Sequence, residues 1–157
     1  MPRFSRLALV AAVCPLLATC SSSTSPTPGP GGLLALGTWG GDNSGVIAMD
    51  SVTHVHVGCT YGDMPGRITL DASGRFTVDG SYLLRAYPVA VGPTMPAQFS
   101  GLVEGNTLTL AIAVNDTVQK KVVALGPVTV TWGKDPRLGP CPICSAKQLQ
   151  QRVSRGR

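Results

Sequence analysis

A chain of 157 residues and 16.2 kDa is long enough for one domain of ordinary size and hardly for two. Hydrophobic residues make up 43% of it and charged ones 13%, which excludes a disordered chain, and 19 Gly with 13 Pro exclude long helices. The longest apolar run is too short to span a bilayer as a helix. The formal charge of +5 is concentrated at the ends. Residues 1–37 carry Arg3 and Arg6 and no acid, and residues 136–157 carry five bases and no acid. Between them, eight acids outnumber six bases, leaving the middle at −2. A nucleic-acid binder places its basic stripe on the folded face, so nucleic acid is not expected as a partner.

The N-terminal residues read as an address. Arg3 and Arg6 precede the apolar run from Leu7 to Ala18, the pattern of a secretory signal peptide. The run ends in Leu17-Ala18-Thr19-Cys20, which resembles a bacterial lipobox, with Thr19 where that family has Gly, Ala or Ser. The resemblance implies a lipoprotein-type signal over 1–19, lipidation of Cys20, and a location in the bacterial cell envelope facing the periplasm or the exterior. Residues 20–35 follow as anchor and tether. The string SSSTSPTPGPGG at 21–32 has nothing to bury and, in extended form, reaches on the order of 35 Å.

From Leu33 onward the dominant period is two. Ile68 and Leu70 alternate with Arg67, Thr69 and Asp71; Phe76, Val78, Gly80, Tyr82 and Leu84 alternate with Arg75, Thr77, Asp79 and Arg85. Leu108, Leu110, Ile112 and Val114 alternate with Thr and Ala, as do Val128, Val130 and Trp132 with Thr. This is the half-buried antiparallel pattern, one face dry and the other wet. Asp71-Ala72-Ser73-Gly74, Glu104-Gly105-Asn106 and Asn115-Asp116 supply the turns. The pattern predicts strands near 36–41, 44–50, 53–59, 66–71, 74–84, 98–104, 107–115 and 118–133, the last bent at Gly126-Pro127. Residues 86–97, with three prolines, are predicted as a long loop. Eight short strands joined by hairpins predict an all-β domain over 36–144, a single antiparallel up-and-down barrel, with a β-sandwich as the alternative. A basic tail follows at 145–157.

Gly37-Thr38-Trp39-Gly40-Gly41 opens the first strand. The G-x-W it contains resembles the opening of lipocalin-like and avidin-like (calycin) barrels. Together with Asp-x-x-Gly-x-Phe at 71–76, Gly-Leu-Val-Glu-Gly at 101–105, Cys59 and Cys141, the chain over 37–141 resembles small bacterial exported and lipoprotein β-domains. That resemblance implies one barrel-like domain and no particular activity.

Candidate chemistry is sparse. Asp42-Asn43-Ser44-Gly45 has the look of a serine nucleophile loop, but the chain is short for a two-barrel protease and its histidines are confined to one strand. His54 and His56 share one face of that strand, with Val55, Val57 and Cys59 on the other. They are read as two solvent-facing side chains, and no metal or cofactor is assigned to them. Cys141-Pro142-Ile143-Cys144 has C-x-x-C spacing, yet it follows an all-β domain rather than sitting in a βαβ unit, so a thiol-redox role for Cys141 and Cys144 ranks below a structural one. The structural expectation is a Cys59–Cys141 disulfide in an oxidising compartment, with Cys144 left as a free thiol.

The sequence therefore predicts a non-enzymatic barrel whose partners are the membrane, through the lipid, and a small apolar ligand or another envelope component. Trp39, Phe76, Tyr82 and Trp132 are the candidate ligand-lining side chains. The alternative is a structural or interaction lipoprotein in which these side chains fill the core.

Overall fold

The computed structural model describes residues 32–84 and 92–141. The alternating runs form eight strands: β1 (Gly37–Gly41), β2 (Ser44–Ala48), β3 (Val52–Val57), β4 (Thr60–Pro65), β5 (Arg75–Leu83), β6 (Met95–Glu104), β7 (Thr107–Asp116) and β8 (Lys121–Trp132). Each pairs antiparallel with the next, and β8 returns to β1, closing an up-and-down barrel rather than a sandwich. Closure removes the free edges that an open eight-stranded sheet would expose. The predicted signal segment 1–19, Cys20, most of the predicted tether, Arg85 and residues 86–91 of the predicted loop, Cys144 and the tail 145–157 lie outside the described residues.

The barrel has a short side and a tall side. Strands β1 to β4 have 5 or 6 residues, whereas β5 to β8 have 9 to 12. The inward parity on the tall side is the predicted one. Phe76 and Tyr82 from β5, Met95, Ala97 and Phe99 from β6, Leu108, Leu110, Ile112 and Val114 from β7, and Val130 from β8 are buried in one cluster. Val78, Leu84 and Trp132 pack against it. The outward positions Arg75, Thr77, Asp79, Gln98, Ser100 and Thr129 are exposed. An apolar interior inside a polar wall is the reverse of a membrane-spanning barrel, whose outer band is the apolar one. At Gly126-Pro127 the ladder between β7 and β8 shifts register between Leu110 and Ile112, and Gly126 takes φ +90°, so the long strand bends where it was predicted to.

The fourth strand differs from expectation. Residues 66–71 alternate correctly but contribute one isolated bridge, Thr69 to Leu33, instead of a rung of the barrel. They pair with the segment before β1: Leu34 N–H donates to the Ile68 carbonyl at 2.9 Å and Leu70 N–H to the Gly32 carbonyl at 2.8 Å. Leu34, Ile68 and Leu70 are each 2% exposed, so the two segments close one end of the barrel. Leu34 and Ala35, which the expected anchor-and-tether span 20–35 includes, belong to this folded end. The true β4 is Thr60–Pro65, whose Gly, Asp and Pro mask its strand character. Strand β6 also begins at Met95, inside the predicted loop.

After β8 the chain crosses to the short side as a strap. Arg137 forms a parallel bridge with Asp42. The Asn43 N–H donates to the Arg137 carbonyl at 2.9 Å, and the Arg137 N–H donates to the Gly41 carbonyl at 3.0 Å. The Arg137 guanidinium reaches the Asp42 carboxylate at 2.6 Å. Pro136 lies directly over Gly45, where a β-carbon would come within 2.6 Å of its ring. The strap ends at Cys141, bonded to Cys59 in the turn between β3 and β4, with the Cα atoms 5.3 Å apart. This is the predicted disulfide.

Candidate functional site

Of the four aromatic residues proposed to line a ligand space, Trp39, Phe76 and Tyr82 are buried in the core cluster and Trp132 packs against it. Trp39 of β1 and Trp132 of β8 are direct cross-strand partners, and the Tyr82 and Phe99 rings lie 6.1 Å apart. Their polar tips are all engaged. The Trp39 indole N–H donates to the Ala35 carbonyl at 3.0 Å, and that of Trp132 donates to the Leu36 carbonyl at 3.0 Å. The Thr60 hydroxyl donates to the Val57 carbonyl at 2.7 Å, which leaves its oxygen to accept the Tyr82 O–H at 2.8 Å. Burial pushes the Tyr82 phenol above its ordinary range despite this hydrogen bond, so it stays neutral.

The interior is packed through glycines. A β-carbon on Gly101 would come within 2.5 Å of Phe76 Cζ, and one on Gly62 would overlap the Tyr82 ring; each glycine is the direct cross-strand partner of its aromatic. The rings thus lie flat across the sheet instead of lining a hollow. Trp39, Val55, Tyr82, Phe99, Leu108, Leu110, Val114 and Val130 are 0% exposed. They present no surface to a water-sized sphere, whether it comes from outside or from within.

The outer wall of the short side holds a separate cluster. His54 and His56 point outward from β3, as expected, and next to them on β4 stand their cross-strand partners Asp63 and Tyr61. Asp63 Oδ1 lies 2.6 Å from His54 Nδ1, and His54 Nε2 lies 3.0 Å from His56 Nε2. An ionised carboxylate only accepts, so His54 donates from Nδ1. In the neutral ring its Nε2 is then a lone pair that accepts the His56 Nε2–H. Tyr61 packs beside both rings at centroid distances of 5.6 and 5.5 Å. Partial burial, and after it the neighbouring His54, lower the His56 pKa, which favours the neutral imidazole.

Sequence reasoning did not find Asp63, because it lies in the strand that the hydrophobic pattern missed. Asp50, in the turn between β2 and β3, faces Arg67 at 3.5 Å. Among the described residues no group of three or more His, Cys, Asp or Glu side chains is placed to hold a metal ion. Ser44 is 1% exposed, and its hydroxyl donates to the Asp42 carbonyl at 3.2 Å, so it faces the core and not a substrate. Compared with protein-family models, curated proteins and solved structures, the chain matches none of them.

Proposed function

We propose that this chain is an exported lipoprotein, fixed to the membrane through Cys20 and held away from it by the Ser/Thr/Pro/Gly tether. Its barrel acts as a non-enzymatic structural or interaction module in the cell envelope. What supports the second statement is the packing of the interior. The rings of Phe76 and Tyr82 occupy the space above Gly101 and Gly62, and the N–H and O–H groups that would orient a guest are bonded within the protein. An eight-stranded barrel encloses either packed side chains or one small ligand, and this interior favours the first. Its working surface is then the outer wall.

Native mass spectrometry of the full-length protein from its own membranes tests the reading. The expected mass is that of the lipidated polypeptide alone. A co-purifying small apolar molecule lost on Phe76→Ala substitution overturns the filled-barrel reading. For the anchor, Cys20→Ala is expected to move the protein from the membrane to the soluble fraction and to abolish lipid labelling. Wild-type protein that is wholly soluble and unlabelled overturns it.

A further inference from the structure

We infer that His54 and His56 form a two-imidazole chelate for one divalent transition-metal ion on the outer wall of β3, with Asp63 behind His54 as its orienting carboxylate. Two residues apart on a strand, the imidazoles leave the same face, and here their Nε2 atoms converge to 3.0 Å. Two nitrogens bound to one ion at about 2.05 Å stand about 2.9 Å apart at a right angle and about 3.3 Å apart at the tetrahedral angle. The observed spacing falls between these limits. The two ring nitrogens are therefore spaced for an ion before one arrives.

The hydrogen bond from His54 Nδ1 to Asp63 is the second observation. A metal-bound imidazole characteristically donates its other N–H to a carboxylate, which fixes the tautomer and aims the remaining lone pair. Asp63 does this for His54 at 2.6 Å. In the free protein a single hydrogen lies between the two Nε2 atoms. When an ion enters, that hydrogen moves to His56 Nδ1, and both Nε2 lone pairs bind the metal with no change in total protonation. Two protein ligands leave further positions to water or to a partner's side chain. The His54 and Asp63 side chains are 27% and 44% exposed, so the site faces solvent. Imidazole donors suit Cu2+, Zn2+ and Ni2+, and the order of intrinsic affinities puts Cu2+ first.

The full-length protein in detergent is titrated with Cu2+ and followed by electron paramagnetic resonance. One ion per chain with the hyperfine pattern of two imidazole nitrogens is expected. His54→Asn and His56→Asn should each abolish that pattern, and Asp63→Asn should keep it while weakening binding about 10–100-fold. Ile47 is the outward, exposed cross-strand partner of His54, so Ile47→His should add a third nitrogen and tighten binding at least tenfold, a gain that unfolding cannot mimic. Absence of the two-nitrogen pattern in the wild type, or its persistence in the double variant His54→Asn/His56→Asn, overturns the site. Unchanged affinity in Asp63→Asn overturns the part assigned to Asp63.

Discussion

Trp39 and Trp132 face each other across the seam where the first strand meets the last, and their indole N–H groups donate to consecutive carbonyls, Ala35 and Leu36. The seam is short, registered through Trp39 with Trp132 and Gly40 with Thr131. Both indoles therefore tie it to the segment that closes the barrel end. They hold Ala35 and Leu36, the residues that lead into β1. The groups that looked suited to orienting a guest are the groups that fasten the closure.

The two indoles are expected to differ in cost. Trp132 is only partly buried, so Trp132→Phe leaves the Leu36 carbonyl free to find water and should cost about 0.5–1.5 kcal/mol. Trp39 is fully buried. Trp39→Phe strands the Ala35 carbonyl and leaves a void, so its cost should exceed that of Trp132→Phe by about 1–3 kcal/mol. Urea unfolding of the two variants checks the order. Equal costs would mean that the Ala35 bond contributes nothing beyond ring packing.

Phe76 and Gly101 should behave as one unit. Phe76→Ala in a filled interior is expected to cost about 3–5 kcal/mol. Gly101→Ala drives a methyl into the Phe76 ring and should cost about 1–3 kcal/mol. The obstructing atoms at Gly101 belong to the side chains of Phe76 and Leu108, so the cost should largely vanish in the Phe76→Ala background. Gly62 provides the contrast. There the Ser81 carbonyl oxygen also lies in the way, and Tyr82→Ala should not rescue Gly62→Ala. Additive costs at Gly101 and Phe76 would refute the packing argument.

The tall side of the barrel was legible because β5, β7 and the Val128–Trp132 end of β8 obey one rule, apolar in and polar or small out. The short side obeys a different one. Gly62 and Asp63 break the alternation of β4 because one yields its space to Tyr82 and the other serves the histidine pair. Ile68 and Leu70 imitate a strand because they bury the same face while capping the barrel end. Period-two patterning reports which side chains are buried and is blind to which backbone they pair with. The histidine face could thus be read from β3, whereas Asp63 could not. The pairing of Cys59 with Cys141 was accessible because Cys59 is the single cysteine between residues 21 and 140, and the export expected from the sequence pairs it with the C-terminal segment.

The strap is expected to depend on its terminal bond. Cys59 and Cys141 are separated by 82 positions, and by the chain-entropy relation their link contributes about 4.5 kcal/mol. The Cys59→Ser/Cys141→Ser variant should show that loss in urea unfolding. Without the bond, Arg137 retains its exposed pair with Asp42 and two backbone hydrogen bonds, which hold the segment weakly. Limited trypsin digestion should then cut after Lys134 and Arg137 much sooner in the variant than in the wild type. Equal cutting rates would show that the strap is held without the disulfide.

Asp71 should shape the acid limb of stability. Its Oδ1 accepts the Arg75 N–H at 2.9 Å, the Ser73 hydroxyl at 2.7 Å and the Ser73 N–H at 2.8 Å, which fixes the turn between the barrel cap and β5. These bonds, the one from Arg75 foremost, hold its carboxyl below the ordinary 3.8. The folded protein therefore binds fewer protons than the unfolded chain in that range, and stability rises with pH there. The contribution is fully present well above 3.8 and is lost as pH falls through that value toward the lower folded-state pKa. Asp71→Asn keeps an acceptor but cannot ionise. Between about pH 5 and 2 its urea midpoint should fall less steeply than that of the wild type, while at neutral pH it should be the less stable protein. Parallel midpoint curves across that window would remove Asp71 from the account of acid sensitivity.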